Sequence, residues 1–292
     1  MSNQAKCIYI DGFLNVDNKP LPVIIKKADN GFNYATTEIA TLYYRIKYHK
    51  PDKIIYVTDI GQKTHFDMIF KIIEYLKIKN NKTQLIHIGF GLMLNDDNKK
   101  IKTRAGDSVK LKSFIMNSII YAKKILGKKK YKNIKLPHIL AINTIKYADL
   151  SNKLAQNYIF NYDRLLKFKG NTAMFLMYAY ARICSIKKKY NEYNTDKMKK
   201  ISCVILTEPI ELDLVLYLLQ YRYIILKTIN KLDPTILTSY LYNIAEKFHS
   251  FFHSCNVLNS NYGYSRLLIC EMVQHVLASG FKILGLKLVN KI

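Results

Sequence analysis

The 292-residue sequence is poor in acidic residues: 21 Asp and Glu stand against 46 Lys and Arg, a formal net charge of +25. It has no apolar run of the roughly 18 residues that a membrane helix needs, and its opening, MSNQAKCIYI, lacks a signal-peptide pattern. Its five cysteines, Cys7, Cys184, Cys203, Cys255 and Cys270, include no Cys-x-x-Cys pair. Isolated thiols suit packing in a reducing, cytoplasmic setting better than a disulfide frame or a zinc site. His249 and His253 are four residues apart, but no third ligand of suitable spacing stands nearby, so no protein metal site is expected. No internal repeat is present.

The chain does have cationic charge, and it is not confined to a tail. Residues 1–130 hold 24 Lys and Arg against 11 Asp and Glu, and residues 131–292 hold 22 against 10. A field spread over both halves attracts polyanions, nucleic acids first among them. A compositional alternative stays open here, because a chain crowded with Lys, Asn, Ile and Tyr also follows from an AT-rich genome. With 49% hydrophobic and 23% charged residues, the chain can bury one large core or two ordinary ones.

The first half alternates between two periodicities. CIYI (7–10) and LPVIIK (21–26) read as strands beside turn chemistry at Asp17-Asn18 and Asn30-Gly31. Residues 36–49 read as a helix, KIIYVT (53–58) as a buried strand, 65–78 as an amphipathic helix with Phe66, Ile69, Phe70, Ile73 and Leu76 on one face, and 84–92 as another buried strand. That order predicts βαβ units on a parallel sheet, with ligands beyond the strands' carboxyl ends at 58–62 and 89–93. A helix over 108–126 closes this half, and the lysine-dense GKKKYKNIKLP (127–137) is the expected boundary. Beyond it the segments 137–152, 159–190, 208–230, 234–252 and 264–286 keep helical spacing, with Asp233-Pro234 as a helix start. The predicted fold class is therefore α/β over 1–130 followed by an all-α bundle over 137–292.

Two basic segments raise functional questions. NKKIKTRAGDSVKL (98–111) sets Lys99, Lys100, Lys102 and Arg104 ahead of a tight turn and a fresh helix start. It reads either as a solvated loop or as a loop that meets a multiply charged anion. GNTAMFLMYAYARICSIKKKY (170–190) sets Phe175, Tyr178 and Tyr180 near Arg182, Lys187, Lys188 and Lys189. Rings that stack on unpaired bases, beside cations for phosphates, suit single-stranded RNA loops. Most of these residues read equally as core, and Tyr178 with Arg182 is the pair expected at the surface.

Taken together and in order, several stretches resemble one family, the arginyl-tRNA synthetases of class I. They are YATTEIATLYYR, KIIYVTDIGQKTHF, HIGFGLMLNDDNKKIKTRAGDSVKL, IKYADLS, NYIFNYDRLLKFKGNTAMFLMYAYARI and the closing SRLLICEMVQHVLASGFKILGLKLVNKI. The resemblance runs along nearly the whole chain. It implies the second half of a Rossmann-like catalytic domain followed by a helical anticodon-binding domain. The implied activity is that of an ATP-dependent arginine–tRNA ligase working through arginyl-adenylate, with L-arginine, ATP (with Mg2+) and tRNA-Arg as partners, and acting as a monomer.

The same resemblance assigns roles. The 98–107 loop takes the place of the class I KMSKS loop, so Lys102 and Arg104, with Lys100, become the catalytic cations, and Lys99 an ATP contact. Tyr34, Glu38 and Gln62 would hold the substrate guanidinium, with His65 supporting that turn. Gly89, Phe90, Gly91 and Met93 match the strand end where adenosine lies. Tyr178, Arg182 and Lys188 would contact tRNA. Two departures stand out. Glu38 occupies a position where Asp is usual, and no His-x-Gly-His signature occurs in the 292 residues. The chain therefore reads as the C-terminal half of a synthetase, with a non-catalytic tRNA-binding fragment as the alternative. A transit peptide would lie outside this sequence, which leaves an organelle open.

Overall fold

The computed structural model describes residues 5–78, 82–94, 111–127, 135–193 and 203–292. Lys99, Lys100, Lys102, Arg104 and the rest of the 98–107 loop lie outside the described residues. The chain forms two compact units, residues 1–92 with 155–157, and residues 93–154 with 158–292.

The first unit begins with a hairpin. β1 (Lys6–Leu14) and β2 (Pro20–Lys26) pair antiparallel, with Ile8 opposite Val23. Their turn follows the Asp17-Asn18 signal: the Asn15 side chain accepts from the amides of Asp17 and Lys19 at 2.9 and 2.8 Å, and Asn18 takes a left-handed φ of 59°. A connection this short cannot cross over to a parallel neighbour, so these strands stay out of the parallel sheet. After α1 (Tyr34–Tyr44), β3 (Lys53–Asp59), α2 (Lys63–Tyr75) and β4 (Gln84–Phe90) form one βαβ unit. β3 and β4 run parallel and in register from Lys53–Gln84 to Asp59–Phe90. α2 buries Phe66, Met68, Ile69, Ile72 and Ile73, with Met68, Ile69, Ile72 and Ile73 in a core shared with Leu42, Ile46 and Ile54. Of the face expected from periodicity, Phe66, Ile69 and Ile73 are buried, Phe70 is half-buried, and Leu76, at the helix end, is exposed, while Met68 and Ile72 join the buried side.

The second unit holds β5 (Met93–Leu94), α3 (Leu111–Leu126), α4 (Leu136–Ser151), β6 (Tyr158–Ile159), α5 (Tyr162–Leu165), α6 (Ala173–Tyr193), α7 (Pro209–Leu219), α8 (Tyr221–Lys231), α9 (Pro234–Ser254) and α10 (Gly263–Ile283). The helix start at Asp233-Pro234 is as read: the Asp233 carboxylate accepts from the Thr235 amide at 2.9 Å. Several local features differ from the sequence reading. The helix expected over 208–230 is broken at Gln220 into α7 and α8. The helix expected over 159–190 is interrupted, because Gly170 takes φ 75° and Thr172 Oγ1 accepts from the Phe175 amide at 3.2 Å, so that α6 begins afresh at Ala173. A two-residue parallel pairing, β5 with β6, stands where no strand was expected, since two residues carry no readable period. α3 was grouped with the first half, but it packs on α4 and puts Ile119, Ala122 and Leu126 into the helical core.

Candidate substrate and RNA sites

Tyr34, Glu38 and Gln62 meet at the carboxyl end of β3 in the first unit. Asn33 caps α1 by accepting from the Ala35 amide at 3.1 Å, which makes Tyr34 the first helical residue. Glu38 lies one turn further along the same face. Past β3, the Asp59 carboxylate accepts from the Gly61 amide at 2.8 Å and winds Ile60–Gln62 into a single 3-10 turn. That turn delivers Gln62 to Tyr34, whose hydroxyl makes a long hydrogen bond to Gln62 Oε1 at 3.5 Å.

The Glu38 carboxylate lies within electrostatic reach of two phenols, that of Tyr34 and that of Tyr56 on β3. Burial, reinforced by Glu38, raises the pKa of Tyr34, and the same causes in the same order push Tyr56 up to about 12. Both hydroxyls therefore keep their protons at neutral pH. Tyr56 Oη accepts from Arg45 Nη1 at 3.4 Å, and the Arg45 guanidinium carbon lies 5.8 Å from the Tyr56 ring centroid. His65 stacks on Tyr34 with centroids 4.7 Å apart and planes 25° apart. Burial lowers the His65 pKa against the pull of Glu38, so His65 is a neutral ring bracing Tyr34.

Two glycines at the end of β4 are required by close approach. A Cβ on Gly89 would lie 2.9 Å from the Ile60 α-carbon, and one on Gly91 would lie 2.3 Å from the backbone carbonyl of Gln156. The Asn157 side chain accepts from the Leu92 amide at 2.7 Å beside it. Gly89 thus admits the turn that carries Gln62. Phe90, between the two glycines, is exposed. Met93, grouped with them in the sequence, opens β5 and packs with Phe114, Ala148, Phe160 and Leu165 in the second unit.

In the second unit, α6 divides largely as expected, except that Arg182, expected at the surface beside Tyr178, is half-buried. Phe175 and Ala179 are buried, whereas Tyr178 is 39% exposed. The Arg182 guanidinium lies 5.9 Å from the Tyr178 ring centroid and 4.1 Å over Phe252 of α9. His249 borders the same group, 6.3 Å from Tyr178 and 5.2 Å from His253 between ring centroids. Burial first, then the charges of Arg182 and His253, lowers its pKa. Arg182, Lys189, Phe252, His253 and Asn256 line a depression of about 530 Å3. Lys188 is exposed, 3.7 Å from Glu192, whereas Lys187 is tied to Glu271 at 2.8 Å. Among the described residues, no three His, Cys, Asp or Glu side chains gather as metal ligands would.

The family profile described as "tRNA synthetases class I (R), catalytic domain" matches residues 1–162, and the "DALR anticodon binding domain" matches residues 176–292. The chain belongs to the arginyl-tRNA synthetase family. It corresponds to the C-terminal region of such synthetases. The arginine–tRNA ligase of Protochlamydia amoebophila is 42% identical over 297 residues, which cover 100% of this chain and 51% of the relative. That of Rippkaea orientalis is 38% identical, covering 98% and 51%. The chain thus spans about half the length of the curated relatives it matches. The crystal structure of the Plasmodium falciparum arginyl-tRNA synthetase superposes with a TM-score of 0.83 at 32% identity, over 99% of this chain and 49% of that one. The Thermus thermophilus enzyme, at 16% identity and a TM-score of 0.78, shares the fold.

Within this arginyl-tRNA synthetase region, sequence reasoning missed two neighbours of Glu38, namely Tyr56 and Arg45. The signal for Tyr56 was its alternation with Ile54 along β3, which turns both to one face. It likewise missed Phe252 beneath Arg182, which sits 70 residues further on, beyond the reach of any local pattern. No helix among the described residues is long and apolar enough to cross a membrane.

Proposed function

We propose that this chain carries the arginine-recognition site and the anticodon-arm-binding domain of an arginine–tRNA ligase, which joins L-arginine to tRNA-Arg through an arginyl-adenylate at the expense of ATP. The observation that carries the reading is the convergence of Tyr34, with Glu38 one turn further along α1, and Gln62 at the carboxyl end of β3. A guanidinium is a planar fork of donors, and a carboxylate is its natural bidentate partner. Glu38 supplies that carboxylate. The Tyr34 ring, braced by His65, flanks the fork, and the Gln62 oxygen takes a further N–H.

Activation transfers the adenylyl group as the arginine carboxylate attacks the α-phosphate and pyrophosphate leaves. Positioned cations stabilise the charge on the departing phosphates. Lys102 and Arg104, with Lys99 and Lys100, are the residues of this sequence assigned to that task. Mg2+ carried by the ATP phosphates would share in neutralising that charge. The ATP adenosine belongs at the strand end of Gly89, Phe90 and Gly91. Tyr178, Arg182 and Lys188 address the tRNA.

A second reading, a tRNA-binding module without catalysis, is favoured by the lack of His-x-Gly-His in these residues. For that reason arginine-dependent exchange of pyrophosphate into ATP by residues 1–292 alone is expected to stay at background. Equilibrium dialysis of labelled L-arginine and of tRNA-Arg against the same sample separates the readings. The ligase reading requires both to bind. Retention of tRNA-Arg with no arginine binding leaves only the module.

A further inference from the structure

α7 and α8 both run along α9: Asn243 Nδ2 donates to Tyr217 Oη at 3.0 Å, and the Tyr221 and Tyr240 ring centroids are 6.0 Å apart. α7 turns Leu214 and Leu218 into the helical core, and α8 lays Ile224 and Ile225 against it. The opposite face of such helices is ordinarily polar. Here it carries Leu212, Leu216, Leu219, Tyr223 and Leu226, each between 48% and 68% exposed. They follow one another at steps of four, three, four and three, the repeat of a coiled-coil seam. Gln220, where the two helices meet, keeps right-handed helical backbone at φ −74° and ψ −9°, so the stripe continues across the joint. A contiguous apolar stripe of this kind marks an interaction surface.

The two ends of the stripe differ in charge. Exposed Glu208 and Asp213 lie at the start of α7, and exposed Lys227 and Lys231 at the end of α8. Asp213 also pairs with Lys247 across to α9. A second copy laid parallel would put like charges together, whereas one laid antiparallel brings acid to base at both ends. A single antiparallel register satisfies every position. It sets Leu212 opposite Leu226 of the second copy, Leu216 opposite Tyr223, and Leu219 opposite itself, with Glu208 facing Lys231 and Asp213 near Lys227.

We propose that the α7–α8 stripe is the contact of a symmetric, antiparallel dimer of this chain, closed about Leu219. A two-fold contact needs a self-complementary surface, and this register supplies one. The dimer departs from the monomer that the family resemblance implies. Five apolar side chains per copy make a small interface, so dissociation constants roughly in the micromolar range are expected.

Sedimentation velocity of residues 1–292 under reducing conditions, before and after nuclease treatment, over roughly 1 to 300 µM tests it. A monomer–dimer equilibrium indifferent to nuclease is expected. Leu216→Glu changes an exposed position, so the melting temperature should hold, and dimerisation should weaken tenfold or more because the symmetry applies the charge twice. Disulfide capture then tests the direction in a Cys203→Ser background, which removes the exposed native thiol. On mild oxidation Leu219→Cys should cross-link to itself, and Leu212→Cys only when mixed with Leu226→Cys. A monomer at all concentrations, a dimer that survives Leu216→Glu, or one that disappears with nuclease and is therefore bridged by RNA, overturns the proposal. Leu212→Cys cross-linking to itself overturns the antiparallel register.

Discussion

Arg266 of α10 donates through Nε to Glu211 Oε1 of α7 at 2.6 Å, with both side chains buried. Glu211 also closes the capping box of α7, taking the amides of Thr207 and Glu208 at 2.7 and 3.1 Å. Arg266 Nη1 reaches the Asn256 carbonyl at 2.9 Å. The pair thus joins the start of one helix to the body of another.

Removing one partner leaves the other buried and charged. Arg266→Met is expected to destabilise the helical unit by about 3–5 kcal/mol, read as a lower urea midpoint. Acid should act on the same pair. Burial alone would raise the Glu211 pKa, but the Thr207 amide, Arg266 and the Glu208 amide outweigh it and leave it lowered. A carboxyl lowered by folding contributes fully above its unfolded value of about 4.3, and the contribution disappears as pH falls through the lower folded value. Glu211→Gln should therefore be less stable than wild type at neutral pH and lose less as the pH is taken from about 5 towards 3. Parallel acid limbs for the two proteins would remove Glu211 from this role.

Gly89→Ala tests whether the turn after β3 sets the substrate site. The added Cβ would meet Ile60 backbone at 2.9 Å and push Ile60–Gln62 outward. The expected cost is about 1–3 kcal/mol of stability together with weaker arginine binding, since Gln62 moves off Tyr34. Loss of stability with arginine affinity intact would separate the turn from the site.

Much of this was legible in the sequence. Helical spacing gave three of the buried residues of α2, Phe66, Ile69 and Ile73, and Asp233-Pro234 gave the start of α9, because both signals are local. The turn at Asp17-Asn18 was equally readable. Tyr34, Glu38 and Gln62 were named by family resemblance and come together through one cap at Asn33 and one turn at Asp59. What escaped is of two kinds. Pairs such as Glu211 with Arg266, or Arg182 with Phe252, join residues far apart in the chain and leave no period. Tyr56 was hidden by its setting, since KIIYVT reads as an apolar buried strand and its hydroxyl is polar only at the tip.

The RNA-facing surface of α6 makes separable expectations for two residues. Lys188→Ala should weaken binding to every RNA alike and lower the log–log salt slope by about one unit. Tyr178→Ala should cost about 1–3 kcal/mol for the arginine anticodon loop and little for an unrelated hairpin. Filter binding over a salt series measures both. An equal loss for the two RNAs with Tyr178→Ala, or a drop in melting temperature of the size a core deletion gives, would make Tyr178 a packing residue.

For any form of the protein that activates arginine, Lys102→Ala should lower kcat for pyrophosphate exchange far more than it raises KM for arginine. A cation acting on developing phosphate charge contributes mainly in the transition state. An unchanged kcat with a higher KM would move Lys102 out of that role.

The most direct measurement is calorimetry of residues 1–292 with L-arginine and with L-citrulline, which has the same shape but replaces the charged guanidinium with a neutral urea. If Glu38, flanked by Tyr34, Tyr56 and Gln62, is a guanidinium site, arginine binds, citrulline does not bind measurably at the same concentrations, and Glu38→Gln abolishes the difference. Equal affinity for the two ligands, or a preference for arginine that survives Glu38→Gln, would contradict it.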